Sequence, residues 1–196
     1  MMKGHFCRLA SVLTTAFVLL VPAFVMASGD IVVSREFIAF SMEQELYAIR
    51  VVDANRGSYF SVRKLEDSSV VKEVPYQLDN EDTVLKSLRK KYKLTDEGHA
   101  GQQSPKGEYT ILGAAKGDKF EVMAQAGSHL GKVRDLDLRK EESSEKPAKA
   151  LLKQVVWTTD GKWLLLVVNQ KVGGAFPSDE DDVIVMPFRG YKVQWQ

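Results

Sequence analysis

The sharpest concentration of charge in the sequence is an acidic run, Asp179-Glu180-Asp181-Asp182, which follows a segment with two glycines and a proline. Carboxylate oxygens are the ligands that Ca²⁺ and Mg²⁺ prefer, so four adjacent acids point to a site for a hard cation. The run lacks the alternating Asp-x-Asp-x-Asp-Gly spacing of a calcium-binding loop. We therefore expect a solvated acidic tip in the connection between two strands, where charge also discourages edge-to-edge association.

Other side chains that commonly do chemistry are sparse after residue 27. His99 and His129 stand in glycine-rich segments, and a zinc site would need both of them plus carboxylates from elsewhere in the chain. Ser128 directly precedes His129, and adjacent residues in a turn rarely orient as a nucleophile and its base must. The sequence thus predicts exposed turn histidines, no catalytic residue, no metal ligand and no cofactor.

Two carboxylates and two aromatic residues complete the candidates. Asp160 and Asp182 each border a predicted strand end, where hairpin loops could bring carboxylates together for hydrolysis of a polymer. Tyr191 and Trp195 are the aromatic residues that we expect to be partly exposed and available for binding. The candidate binding residues are therefore Trp195, Tyr191, Asp179, Glu180, Asp181 and Asp182.

Residues 1–27 have the order of a secretory signal peptide. Lys3 and Arg8 give a positive start, an uncharged apolar run follows, and Val25-Met26-Ala27 supplies small residues for cleavage before residue 28. We expect cleavage after Ala27 and an exported protein, periplasmic or secreted. An uncleaved N-terminal membrane anchor is the alternative, because the apolar run could just span a bilayer.

Residues 28–196 have the length and composition of one domain with a nearly neutral surface. Two of the 27 basic residues, Lys3 and Arg8, precede this part, whereas all 26 acidic residues lie within it, which leaves a net charge of −1. This balance gives no general attraction to nucleic acid or to anionic lipid. Cys7 is the only cysteine, so a domain of this length must be stabilised by its apolar core.

Short β-type runs separated by turn signals dominate this part of the chain. They predict an antiparallel meander followed by further hairpins. The predicted strands are residues 37–40, 46–52, 58–63, 108–114, 119–126, 132–139, 150–157, 162–169, 182–189 and 191–195. Residues 164–168 are all Leu or Val, which predicts a central strand buried on both faces.

One amphipathic helix is predicted at about residues 80–94. Asn80 is a favourable N-cap, and acidic residues early in the segment with basic residues later complement the helix dipole. An apolar stripe at helical spacing consists of Val84, Leu85, Leu88 and Tyr92. The basic residues are expected to form a solvated face, and Gly98 marks the end of the segment.

Two predicted hairpin turns look like those in bacterial β-propeller blades. Ser104-Pro105-Lys106-Gly107-Glu108-Tyr109 and Thr158-Thr159-Asp160-Gly161-Lys162-Trp163 each place a glycine, which tolerates positive φ, three residues after a hydroxyl side chain. Ser41-Met42-Glu43-Gln44-Glu45-Leu46 is a weaker copy without the glycine. A closed four-bladed propeller needs roughly 160 residues, so we expect one antiparallel sheet or two packed sheets instead.

The chain resembles an uncharacterised family of predicted bacterial secreted proteins. The shared features are Gly29-Asp30, an early Phe40-Ser41 turn, the basic segment Lys91-Tyr92-Lys93-Leu94 and a late strand of Val and Leu. The resemblance implies export and a β architecture, and it supplies no catalytic residue.

We therefore expect a non-enzymatic exported domain that binds a protein or a cell-envelope component, or that has a structural role. The alternative is a hydrolase of envelope polymers that uses carboxylates brought together across hairpins. No nucleic-acid partner is expected, and contact with a membrane is expected only through the signal segment before cleavage.

Overall fold

The computed structural model describes residues 31–140, 146–174, 177–188 and 194–195, the last two by their backbone only. Within these residues the chain is mainly β with one helix, as predicted. In chain order the elements are β1 (Ile31–Ser41), β2 (Leu46–Asp53), β3 (Gly57–Lys64), β4 (Val70–Pro75), α1 (Glu81–Tyr92), β5 (His99–Ala100), β6 (Thr110–Lys116), β7 (Lys119–Ala126), β8 (His129–Asp137), β9 (Lys149–Trp157), β10 (Trp163–Val172), β11 (Ser178–Pro187) and β12 (Gln194–Trp195). The predicted signal segment, residues 1–27, lies outside the described residues.

Eight strands form the larger sheet, in the order β4-β3-β2-β1-β11-β10-β9-β5. The predicted meander is present as β1 to β4, in which each strand pairs antiparallel with the next. One pair departs from the antiparallel rule, because Ile31–Val33 of β1 runs parallel to Ser178–Glu180 of β11. The first described strand and the penultimate one therefore meet in the middle of this sheet.

The smaller sheet, ordered β12-β8-β7-β6, covers one face of the larger one. Phe120 and Val122 of β7 and Val133 of β8 pack against Trp157 and Leu166 in one buried cluster. The two sheets thus form a sandwich over this half of the larger sheet, with apolar side chains closing the interface.

Strand β10 is the centre of the molecule. Residues 164–168 are all completely buried, and β10 pairs with β9 on one side and β11 on the other. Leu164 and Leu166 face the smaller sheet, whereas Leu165 and Val167 belong to a second cluster on the opposite face. The prediction of a central strand buried on both faces is confirmed.

The larger sheet curls so that distant strands share the second cluster. Phe40 of β1 and Tyr47 of β2 pack there with Val156 of β9 and Leu165 of β10. The segment after the helix closes this curl, because Asp96 pairs with Phe40 through backbone hydrogen bonds of 2.7 and 3.1 Å. A few residues later β5 pairs with β9, so one short segment joins β1 to β9.

Helix α1 covers the face of the meander opposite that second cluster. Leu88 is buried there, and Val84, Leu85 and Tyr92 pack beside it, as the predicted stripe requires. The ends differ from the prediction: Asn80 bonds the backbone N–H of Gln77 instead of capping the helix, and the helix ends at Lys93 in a left-handed conformation. A local turn therefore ends the helix before Gly98.

Gly98 instead lies in residues 95–100, which join β1 to β9 and which we call the closing segment. Its φ is +71°, and a Cβ at this position would lie 2.5 Å from Cγ1 of Val156 and 2.8 Å from the backbone oxygen of Trp157. Only glycine allows the segment to approach β9 so closely.

Candidate functional site

The two propeller-like turns have the same hydrogen-bonding geometry. In the first, Ser104 N donates to Tyr109 O, Gly107 N donates to Ser104 O at 2.8 Å, and Tyr109 N donates to the Ser104 hydroxyl at 3.1 Å. In the second, Thr158 makes the equivalent three bonds with Trp163 and Gly161. Both glycines have φ of +70°. The pattern read from sequence therefore corresponds to one rigid turn used twice.

These turns lie side by side at one end of the larger sheet. A Cβ on Gly161 would lie 3.9 Å from Cδ of Pro105, so the first turn contacts the second. The weaker copy at Ser41–Leu46 has its positive φ at Glu45 (+54°) and not at the fourth position, which explains its missing glycine. Met42 from this third turn reaches the same region as Thr159 and Asp160.

An open groove lies between the third turn, the second turn and the closing segment. We call it the turn-end groove, and it is lined by Met42, Thr95, Asp96, Glu97, Gly98, Thr159 and Asp160. Sequence reasoning identified Asp160 but missed Asp96 and Glu97. The available signal was Asp96-Glu97-Gly98, because an Asp two residues before a glycine often bonds that residue's backbone N–H.

Asp96 fixes the floor of the turn-end groove. Its carboxylate accepts hydrogen bonds from Gly98 N at 2.8 Å, from Thr159 N at 3.0 Å and from the Thr159 hydroxyl at 2.6 Å. One side chain therefore ties the closing segment to the second turn. Groove walls held by side-chain bonds to backbone lose little conformational entropy when a ligand binds.

Asp160 is held within its own turn. Its carboxylate accepts bonds from the Thr158 hydroxyl at 2.7 Å, from Lys162 N at 3.0 Å and from Lys162 Nζ at 2.7 Å. Partial burial would raise the pKa of Asp160, but the bonds from Lys162 and Thr158 outweigh it and the pKa lies below its ordinary value. The group is therefore a stable anion and not a proton donor near neutral pH.

The acidic run does not form a solvated tip, and this prediction is wrong. Residues 179–182 lie inside β11, which begins at Ser178, and they pair with β10 and β1. The run is tolerated in a strand because its carboxylates receive cations or amides from other elements. Lys171 and Asn169 of β10 bond Asp179 at 2.7 Å each.

Asp181 is the most buried of these acids, with 1% of the residue exposed. Its carboxylate accepts bonds from Lys153 Nζ at 2.6 Å, from Arg35 N at 2.8 Å and from Asn169 Nδ2 at 2.9 Å. Burial would raise the pKa of Asp181, but the bonds from Lys153, Arg35 and Asn169 hold it below its ordinary value. The pairing of β1 with β11 ends at Val33. Beyond it, the Asp181 carboxylate accepts the backbone N–H of Arg35 in place of a backbone carbonyl.

Glu180 and Asp182 bind Arg139, the second residue after β8. Arg139 reaches Glu180 at 2.5 Å and Asp182 at 2.8 Å, and Gln170 donates to Asp182 at 2.6 Å. Burial opposes the charge of Arg139, yet these two carboxylates raise its pKa above the ordinary value. The acids of the run thus join β11 to β1, β9 and β10 and to the segment that follows β8.

The structure does not bring Asp160 and Asp182 together. Asp160 lies in the turn before Trp163, which pairs with Pro187, whereas Asp182 pairs with Val168. Five strand residues separate these two pairs, which corresponds to about 17 Å.

The remaining candidates are distributed over both sheets. Trp195 lies in β12, where it pairs with Gly131, and Tyr191 lies outside the described residues. His99 and His129 are exposed, but they belong to β5 and β8 and not to turns. Among the described residues, no group of three or more His, Cys, Asp or Glu side chains is arranged to hold a metal ion. The one described helix is too short and too polar to cross a bilayer.

Comparison with known proteins gives no relative. No family model matches the chain, and no curated protein or solved structure shows significant similarity to it.

Proposed function

We propose that residues 28–196 form an exported, non-enzymatic domain, periplasmic or secreted, that binds a protein or a cell-envelope component at the turn-end groove. The observation that carries this proposal is the convergence of the second turn, the third turn and the closing segment on one open groove, with Asp96 tying its floor together. Binding sites are commonly built on loops that a rigid scaffold positions.

The chemistry of the groove favours a ligand with both a cationic or donor group and an apolar group. Glu97 and Asp160 present exposed carboxylates, and Met42, in the turn after β1, supplies an adaptable apolar contact. Glu97 forms an ion pair with Arg89 at 2.9 Å, so a cationic ligand would compete with Arg89 for the Glu97 carboxylate.

The state of the carboxylates supports binding over hydrolysis. A glycosidase needs one carboxylic acid whose pKa is raised, so that it can protonate the leaving group. The pKa values of Asp160, Asp179 and Asp181 all lie below their ordinary values, in the direction opposite to this requirement.

Photo-crosslinking in the native envelope tests the proposal. A photoreactive amino acid at Thr95 or Glu97, both exposed in the groove, should give a discrete adduct with one partner. The matched control is Ser128, exposed in the turn between β7 and β8. Equal adducts from Ser128, or none from the groove positions, would refute the groove as the binding surface.

A substrate screen tests the non-enzymatic part separately. The purified protein should leave peptidoglycan, glycans and peptides intact. Hydrolysis that disappears in Asp160→Asn would establish the alternative function and contradict ours.

A further inference from the structure

Strand β4 ends the larger sheet and leaves its outer edge without a partner strand among the described residues. Val70 and Val71 at its start are 51% and 41% exposed. Large apolar side chains on an uncovered edge strand are the surface to which extended peptides add.

The backbone register shows which groups the edge offers. Tyr76 N donates to Ser58 O of β3 at 3.1 Å, so alternate residues before Tyr76 also point toward β3. The backbone N–H group of Glu73 consequently points outward, whereas the alternation does not extend to Val71, because the register shifts between Val62 and Arg63. Pro75 occupies the next outward position, where its lack of an N–H leaves no donor unsatisfied.

Unpaired positive charge lies beside this edge. Lys72 pairs with Val62, whose side chain is in the cluster under α1, so Lys72 is on the helix-covered face. Arg89 pairs with Glu97, which places Arg89 on the side of the helix nearer to β1. Lys91 is about 200° further round the helix and therefore lies on the flank toward β4.

Neighbouring cations differ from these lysines in one respect. Arg50, Arg56, Arg89 and Lys93 each have a carboxylate partner. Two exposed lysines beside β4, Lys72 and Lys91, have no carboxylate at ion-pair distance within the described residues, and we call them the lysine group.

A second copy of this chain fits the edge poorly. Two antiparallel copies related by a two-fold axis must oppose residues that lie on the same face of the sheet. Registers centred on the strand therefore place Lys72 against Lys72, or Glu73 against Glu73, and like charges directly opposite are destabilising.

We propose that β4 accepts an extended acidic segment of a partner protein as an added strand, in which carboxylates contact the lysine group and apolar residues cover Val71. This surface is independent of the turn-end groove. The outward N–H and C=O groups of Glu73 supply backbone bonds, and the lysines select the sign of charge.

The probe is a fluorescent, end-capped peptide of alternating Val and Glu, about eight residues long, which matches the length of a typical strand. The full chain without residues 1–27 should bind it saturably by fluorescence anisotropy. Lys72→Glu should weaken the affinity about tenfold, or about 1.4 kcal/mol, because attraction becomes repulsion. Lys119→Glu, a matched change at an exposed lysine of β7, should leave the affinity unchanged.

Amide hydrogen exchange supplies a readout that needs no variant. Bound peptide should slow exchange at Glu73 and leave the exposed turn at Gly127 unaffected. Three results would overturn the proposal: no binding by the folded protein, equal binding of a Val-Lys peptide, or binding to anionic phospholipid vesicles that removes the peptide. Each leaves the crosslinking result at the groove independent, so the two proposals can fail separately.

Discussion

Lys153 Nζ lies 2.6 Å from the carboxylate of Asp181, and only the lysine end of this pair reaches solvent. The carboxylate also bonds Arg35 N at 2.8 Å, so it connects β9, β11 and β1 at the point where the sheet would otherwise open. The ion pair is therefore part of the sheet and not an addition to its surface.

Replacing Asp181 with Ala should destabilise the fold by about 2–4 kcal/mol, because Arg35 N and Asn169 lose a buried acceptor. Urea unfolding of the two proteins measures the difference. Asp179→Ala is the matched control, and it should cost less than about 1 kcal/mol because this acid is half exposed. Equal stability of Asp181→Ala and its parent would contradict the role of this carboxylate.

The same carboxylate should make stability depend on pH. The pKa of Asp181 is lowered in the folded protein, so its contribution is complete above the unfolded pKa of about 3.9 and is lost as pH falls through the folded pKa. The gap in unfolding free energy between the parent and Asp181→Asn should therefore shrink from about pH 6 to about pH 3. A constant gap over that range would show that the charge is not responsible.

Truncating the central strand should be severe on either face. Leu165→Ala and Leu166→Ala should each cost about 2–5 kcal/mol, from lost apolar burial plus a cavity. Thermal melting follows both variants. Leu151→Ala on β9, where the side chain is 53% exposed, should change the melting temperature little. Melting like the parent in both core variants would show that β10 is peripheral.

Two glycines with similar backbone conformations should respond differently to alanine. At Gly57, with φ of +80°, a Cβ would meet nothing within 4 Å, so the cost should be conformational strain of about 1–2 kcal/mol. At Gly98 the same change adds contacts of 2.5 and 2.8 Å with β9, and the cost should exceed about 3 kcal/mol. Chemical denaturation of both variants tests the order, and equal losses would mean that the closing segment does not contact β9 so closely.

We predict that the chain is exported and cleaved after Ala27, which makes Ser28 the new N-terminus. The motivation is the positive start, the apolar run and Val25-Met26-Ala27. Intact-mass measurement of the protein recovered from the periplasm or the medium gives the answer directly. A recovered species that retains residues 1–27 would contradict cleavage.

Local patterns predicted the elements that carry strong periodicity. The uniformly apolar residues 164–168, the stripe on α1 and the two glycine turns all depend on neighbours close in sequence, and all three are present. β4 was missed, because its Val70–Pro75 sequence mixes charge with a proline, as an edge strand does.

Long-range contacts decided what sequence reasoning could not. Four adjacent acids favour a loop unless cations approach them, and the cation closest to Asp181 comes from Lys153 on another strand. The turn-end groove depends on Asp96 bonding Thr159, which lies 63 residues away. The turns themselves were predictable, whereas their convergence was a property of the curled sheet.

The parallel pairing of β1 with β11 has a consequence for biosynthesis. Ile31 N donates to Pro177 O, and strand partners on either side of this bond are separated by nearly the whole described chain. Such distant pairing slows folding, since the closure of a long loop must precede the contacts that stabilise it. A ribosome must therefore release almost the entire polypeptide before β1, which already pairs with β2, gains β11 as its second neighbour. Until then the two halves of the larger sheet, β4 to β1 and β11 to β5, are not paired with each other.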